Sequence, residues 1–194
     1  MERLMHVIPD SSYEDQARDY IEEHHRYNSN INGVGGLNRY QDNYQEWLNK
    51  LEKDRNMIPN EERVPADTYY LVRVSDNRIV GMLNLRRVLN ERLERCGGHI
   101  GYGIRPTERR KGYNKINLYL GLLRSQELGL SEVILDADEN NPASWRTMEA
   151  LGGVLTNTYY YEEENCMVRR YTINVDDAIN TYRSIYEDKI VRRR

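Results

Sequence analysis

At 194 residues the chain has the length of one ordinary domain with a well-buried core, and 39% hydrophobic against 30% charged residues describes a heavily solvated surface. No apolar run reaches membrane-spanning length, and a net charge of −3, with basic and acidic residues interspersed, lacks the basic excess of a dedicated nucleic-acid binder. The two cysteines, Cys96 and Cys166, are too few for a disulfide framework and carry no paired metal spacing, and Met1 to Val7 lacks a secretory signal. The expectation is a cytoplasmic protein with no membrane, nucleic-acid or metal partner.

Residues 2–9 alternate loosely up to Pro9 and predict a first strand. Asp10, Ser11 and Ser12 offer caps for a helix with the apolar stripe Tyr13, Ala17, Tyr20, Ile21 and His24. Asn28 to Gly36 is a loop rich in turn formers, and Tyr40, Tyr44, Trp47, Leu48 and Leu51 mark a second helix. After a connector over 56–66 the pattern changes to strands, with Thr68 to Val74 and Ile79 to Leu85 flanking the hairpin signal Ser75-Asp76-Asn77-Arg78. The polar stretch Asn90 to Arg95 leads into a strand over Gly98 to Arg105. There Ile100, Tyr102 and Ile104 share one face, and Gly101 and Gly103 leave the other bare.

Residues 113–128 predict a helix with Ile116, Tyr119, Leu120 and Leu123 inward and Gly129 past its end. Val133 to Asp138 is a short strand, and Asn141-Pro142 opens a helix that runs through Leu151 to Gly152-Gly153. Strands over 154–161 and 166–173 flank the turn Glu162-Glu163-Glu164-Asn165. Asp176 caps a last helix carrying Ile179, Tyr182, Tyr186 and Ile190, whose cationic end is Arg192-Arg193-Arg194. This predicts a single domain over 1–175, followed by a C-terminal helix and basic tail over 176–194.

The informative segment is strand, Pro106-Thr107-Glu108, Arg109-Arg110-Lys111-Gly112-Tyr113-Asn114, helix. A helix N-terminus exposes amides without internal partners, and its dipole favours an anion. Gly112 permits a tight turn and close approach, and three basic residues add positive charge, so a diphosphate is the natural guest. A Walker loop needs a Gly-Lys-Ser/Thr ending and a dinucleotide fingerprint needs three glycines; this turn has neither. Glycines within a strand mark a close approach of ligand or backbone. Gly101 and Gly103 therefore predict a thin, amide-bearing molecule lying along the strand, with the shape of pantetheine diphosphate.

Arg109-x-x-Gly112-x-Asn114 after Ile104-Arg105-Pro106 resembles the signature of the GNAT N-acetyltransferase superfamily, and Asn141-x-x-Ser144 followed by Glu149 and Gly152 resembles its second motif. Gly98-His99-Ile100-Gly101-Tyr102 and Ile31 to Leu37 are similar to an uncharacterised bacterial "predicted acetyltransferase" subgroup. The resemblance covers residues 2–175. It implies an α/β fold with a mixed, mostly antiparallel central sheet of about seven strands flanked by helices, and an extra C-terminal helix. It also implies acetyl-CoA as donor, held by the backbone of Tyr102, Gly103 and Ile104, by the amides of Arg109, Arg110, Lys111, Gly112, Tyr113 and Asn114, and by Asn141 and Ser144. Two departures stand out: Asn114 replaces a small residue, and Met148 falls where many members place a tyrosine that protonates the departing thiolate.

Acetyl transfer to an amine needs a base or a water chain, because the amine is mostly protonated at neutral pH. Asp136, which shares a strand face with Asp138, is the first expectation for that base; His99 is the second. The acceptor is expected under the loop Asn28 to Gly36, near the Glu162-Glu163-Glu164 turn, as a small amine. Two alternatives stay open: a protein or peptide N-acetyltransferase, and a non-catalytic acyl-CoA-binding module. A homodimer is a further expectation.

Overall fold

Among the described residues seven strands form two antiparallel sheets whose edges meet at a single point. The computed structural model describes residues 2–192; Arg193 and Arg194 of the predicted basic tail lie outside the described residues. The first sheet takes β1 (Leu4–Val7), β2 (Ala66–Arg73), β3 (Arg78–Arg86) and β4 (Ile100–Ile104) in that spatial order. The second has the order β5-β7-β6, with β5 (Glu132–Asp138), β6 (Val154–Tyr161) and β7 (Cys166–Asn174). Six α-helices among the described residues surround them: α1 (Glu14–Arg26), α2 (Tyr44–Asn56), α3 (Glu91–Arg95), α4 (Tyr113–Glu127), α5 (Pro142–Glu149) and α6 (Val175–Tyr186). None is long and apolar enough to cross a membrane.

Strand alternation decides which helix lies on which side. Tyr69 and Leu71, Leu83 and Leu85, and Ile100, Tyr102 and Ile104 bury against α4 on one face. Tyr70 and Val72, Ile79 and Met82 bury against Tyr20 and Ile21 of α1 and Trp47 and Leu51 of α2 on the other. β2 and β3 are therefore apolar in both directions. The predicted C-terminal helix shares the α4 core through Val175, Ala178, Ile179 and Tyr186.

Several element ends differ from expectation. The polar stretch before β4 forms α3, capped by Asn90 accepting from the Leu93 amide (3.1 Å); its one buried residue, Leu93, is too little for a periodic signal. The last helix is capped by Asn174, which accepts from Asp177, and not by Asp176. Ile190 lies beyond that helix and bridges to Leu4. The second helix begins at Tyr44 under an Asn43 cap, leaving Tyr40 in the preceding loop.

Two features set up the site. β4 and β5 are both edge strands, joined by an isolated bridge between Gly98 and Leu135 and by the His99 amide donating to Ile134 (2.7 Å). Beyond that point no ladder connects them, so their edges diverge and leave backbone groups free to pair with a ligand. Arg105, 1% exposed, then anchors the chain after β4: its guanidinium reaches Glu23 (2.9 Å), Asp19 (2.5 Å) and the Ile79 carbonyl (2.9 Å). Glu23 also accepts from the Thr107 amide and hydroxyl, so α1 is fastened to the turn that precedes α4.

Candidate active site

The turn from Arg109 to Asn114 is an amide cradle at the mouth of the cleft. Gly112 is the N-cap of α4 with φ 78°, and Arg110 has φ 64°; left-handed residues at alternate positions turn successive amides to one side. The amides of Arg110 to Asn114 have no acceptor within the described chain, and a side chain built on Gly112 would meet nothing within 4 Å. The three basic side chains do not act alike. Arg109 is pinned to the Ile104 carbonyl and the Ser29 hydroxyl, and Lys111 is paired with Glu108 (2.7 Å), which also binds Arg73. Arg110 alone of the three has no partner among the described residues.

Asn114 does not crowd the cradle. Its amide nitrogen donates to Thr147 of α5 (3.3 Å), and its Oδ1 is buried without a partner. Asn141 caps α5 by accepting from the Ser144 amide (3.3 Å), which leaves its Nδ2 free to donate. Tyr102 reaches across to α5, its hydroxyl bonded to the Ser144 carbonyl (3.1 Å) and hydroxyl (3.2 Å); burial pushes its pKa well above the ordinary range. Met148 is buried in the α4 core and presents no polar group.

The bare face of β4 has a different occupant from the one expected. A Cβ on Gly33 would stand 2.6 Å from Tyr102 Cα, and one on Gly103 would stand 2.9 Å from the Asn32 carbonyl oxygen. The glycines thus admit the chain's own loop over 30–36, pressed flat on β4. The free edge of β4, not its glycine face, is what remains for a ligand. Tyr20 comes within 3.3 Å of the same Gly103 position, and its buried hydroxyl has no partner.

Both expected bases are already engaged. Asp136 accepts from Arg170 through both oxygens (2.9 and 2.7 Å), from the Gly97 amide (2.8 Å) and from the Tyr159 hydroxyl (3.1 Å). Asp138 accepts from the Asn140 amide in the turn that follows. His99 Nδ1 accepts from the Ile134 amide (3.0 Å), so its one basic lone pair is occupied; burial and Arg86 hold its pKa below the usual histidine value. His24 is in the opposite state. Its Nδ1 lies 2.9 Å from the Tyr20 carbonyl, which can only accept, so Nε2 keeps a free lone pair. Its ring packs on Tyr20, which sequence periodicity read simply as core.

Residues 2–154 match the family model described as an acetyltransferase (GNAT) domain. The chain belongs to that family. It is a GNAT acetyltransferase. Solved structures share the fold: a ribosomal-protein-S5-alanine acetyltransferase from Vibrio fischeri is 15% identical with TM-score 0.67, covering 91% of this chain and 96% of its own. A mutant form of the spermidine/spermine N-acetyltransferase SpeG from Vibrio cholerae is 17% identical with TM-score 0.64, covering 92% and 98%. A GNAT-family acetyltransferase from Bacillus anthracis is 16% identical with TM-score 0.60, covering 91% and 99%. No curated protein matches the sequence.

In this acetyltransferase the residues that the two motifs single out lie on β4, at the start of α4 and at the start of α5. Arg86, which no sequence motif singles out, follows Asn84 on the glycine side of the sheet. A polar pair closing an otherwise apolar strand was the available signal. A hollow of about 340 Å³ between α6 and the β6–β7 pair, lined by Thr156, Asn174, Asp177 and Tyr182 among others, shares no residue with this cleft.

Proposed function

We propose that this acetyltransferase binds acetyl-CoA along the free edge of β4, with its pyrophosphate in the Arg109–Asn114 turn, and transfers the acetyl group to the primary amine of a small molecule. The observation that carries this reading is the junction of two unpaired edges with the unpartnered amides of 110–114. Backbone groups of Tyr102 and Ile104 would pair with pantetheine, and Asn141 Nδ2 offers a donor to the same arm. Acetyl-CoA supplies the activated acyl carbon: the amine nitrogen bonds to it, the carbon–sulfur bond breaks, and the proton the amine loses is balanced by one the thiolate gains.

The bonds at Asp136 and His99 support positioning roles for both. Each holds the α3–β4 connection to β5; the His99 lone pair is taken by the Ile134 amide and the Asp136 charge is matched by Arg170, so solvent removes the amine proton. Because Met148 offers no hydroxyl, the Tyr102–Ser144 hydroxyl pair returns a proton to the thiolate. The test is acetyl-CoA titration followed by thiol release against a panel of amines. A cofactor at about 100 times its Kd stabilises the folded state by about 2.7 kcal/mol, which raises Tm by several degrees. No rise at millimolar cofactor defeats the coenzyme assignment. Met148 supports a second reading, a non-catalytic acyl-CoA-binding module, for which the rise would occur without thiol release on any amine.

A further inference from the structure

Arg86, at the end of β3, carries a charge that no ion pair among the described residues neutralises, although the Asp136 charge lies close enough to favour it. Its Nη1 donates to the carbonyls of Gly97 (3.1 Å) and Gly98 (2.7 Å). Those glycines have φ of 118° and 59°, a course that folds both carbonyls around the guanidinium. A Cβ on Gly98 would collide with the Ile134 carbonyl, so the loop is also pressed onto β5. Asp136 accepts from the Gly97 amide in this loop, but its charge is matched by Arg170. Among the described residues no carboxylate forms an ion pair with Arg86. Burial holds its pKa below the usual arginine value, with Arg92 adding repulsion and the Asp136 charge offsetting part of it. A half-buried guanidinium held by carbonyls alone is costly unless an anion completes it.

Its position says which anion. Arg86 Nη2 lies 4.0 Å from the point where a Cβ on Gly101 would stand, beside the Gly33 loop. From Ile104, nearest the cradle, to Gly101 the strand rises about 10 Å. A pantetheine arm anchored at the cradle therefore carries its thioester toward Gly101, just short of the Gly98 bridge that closes the cleft. The unpaired fork of Arg86, Nε and Nη2, stands at that closed end.

We infer that the acceptor is an amine of amino-acid size that carries a carboxylate, and that this carboxylate pairs with Arg86 while the amine faces the thioester. The inference rests on the acetyl-transfer reading and sharpens it. A polyamine would place ammonium groups beside a cation that no carboxylate pairs with, and an internal peptide segment would bring no carboxylate to the fork.

The experiment compares kcat/KM for amino acids with that for their α-carboxamides and for spermidine, by thiol release. Charge-assisted pairing predicts a preference for the acid over its amide of about 10- to 100-fold. Arg86→Gln brings that ratio close to one, and Arg86→Lys restores part of it, which a merely structural role would not do. Amides or spermidine used as well as acids, or a ratio unchanged in Arg86→Gln, overturns the proposal. Calorimetric binding of N-acetyl amino acids and their carboxamides to the CoA complex gives a second readout that needs no turnover and uses the unmodified chain. Loss of thiol release on every amine while acid-over-amide binding persists removes the transfer reading and leaves the carboxylate site standing. Equal binding of acid and amide removes the carboxylate site whatever the turnover.

Discussion

Replacing Gly112 by Asp and, separately, by Asn isolates the electrostatics of the cradle. A side chain at this position enters open space, so neither variant clashes. Both residues tolerate the left-handed φ of 78°, and their shapes are nearly the same, so the backbone cost is common to both and cancels. What differs is one negative charge beside the pyrophosphate. At about 5 Å the repulsion from a single phosphate charge is about 1 kcal/mol in bulk-like dielectric and about 3 kcal/mol at an effective dielectric near 20. Gly112→Asp should therefore bind CoA about 5- to 150-fold more weakly than Gly112→Asn, measured by isothermal titration calorimetry. Raising ionic strength from about 50 mM to about 500 mM shortens the screening length severalfold and should shrink the ratio. Pantetheine, which lacks the phosphates, should not distinguish the two. Equal CoA affinities for the Asp and Asn variants at low salt would show that the phosphates lie elsewhere.

Gly33→Ala puts a methyl group into the Tyr102 backbone at a residue with φ 72°, so the 30–36 loop must lift; an acceptor KM raised at least tenfold with CoA affinity kept is expected, and an unchanged KM would place the acceptor away from this loop. Asp136→Asn leaves Arg170 without its carboxylate in a half-buried setting, and chemical denaturation should show a loss of about 3 kcal/mol. Its effect on kcat should be the same at neutral and alkaline pH, whereas rescue at alkaline pH would restore Asp136 as the base. Tyr102→Phe should lower kcat by about 100-fold with CoA affinity intact, as seen by steady-state kinetics and calorimetry; a kcat within a factor of two of the parent removes the hydroxyl from proton return. His6 donates through Nε2 to Asn117, its Nδ1 is buried without a partner, and burial lowers its pKa to about 3. Between the unfolded value of 6.5 and about 3 the unfolded chain binds the extra proton, so stability falls as pH drops, by about 1.4 kcal/mol per pH unit at most for this group. The burial-lowered His24 and His99 steepen the same fall. A denaturation free energy flat from pH 6.5 to 5 would contradict the buried neutral His6.

The amide cradle was legible because everything it needs is local. A strand, a proline, a glycine and the start of a largely apolar helix lie within a dozen residues or so, and helix termini expose amides whatever surrounds them. The caps at Asn141 and the hairpin at Ser75–Arg78 were readable for the same reason. The sheet faces followed from alternation, which placed Ile100, Tyr102 and Ile104 inward.

The chemistry of individual side chains was decided only in three dimensions. Asp136 and His99 are plausible bases in sequence, but only the fold shows what surrounds them: Arg170 and the Gly97 amide at the Asp136 carboxylate, and the Ile134 amide at the His99 lone pair, all from distant parts of the chain. Gly101 and Gly103 announced a close approach and pointed to a pantetheine-like ligand, but the loop carrying Gly33 claimed that face. Arg86 became informative only when no carboxylate came to meet it. Residue type and local spacing determine what a group is able to do; which lone pairs and charges stay unsatisfied depends on partners that folding brings together from across the sequence.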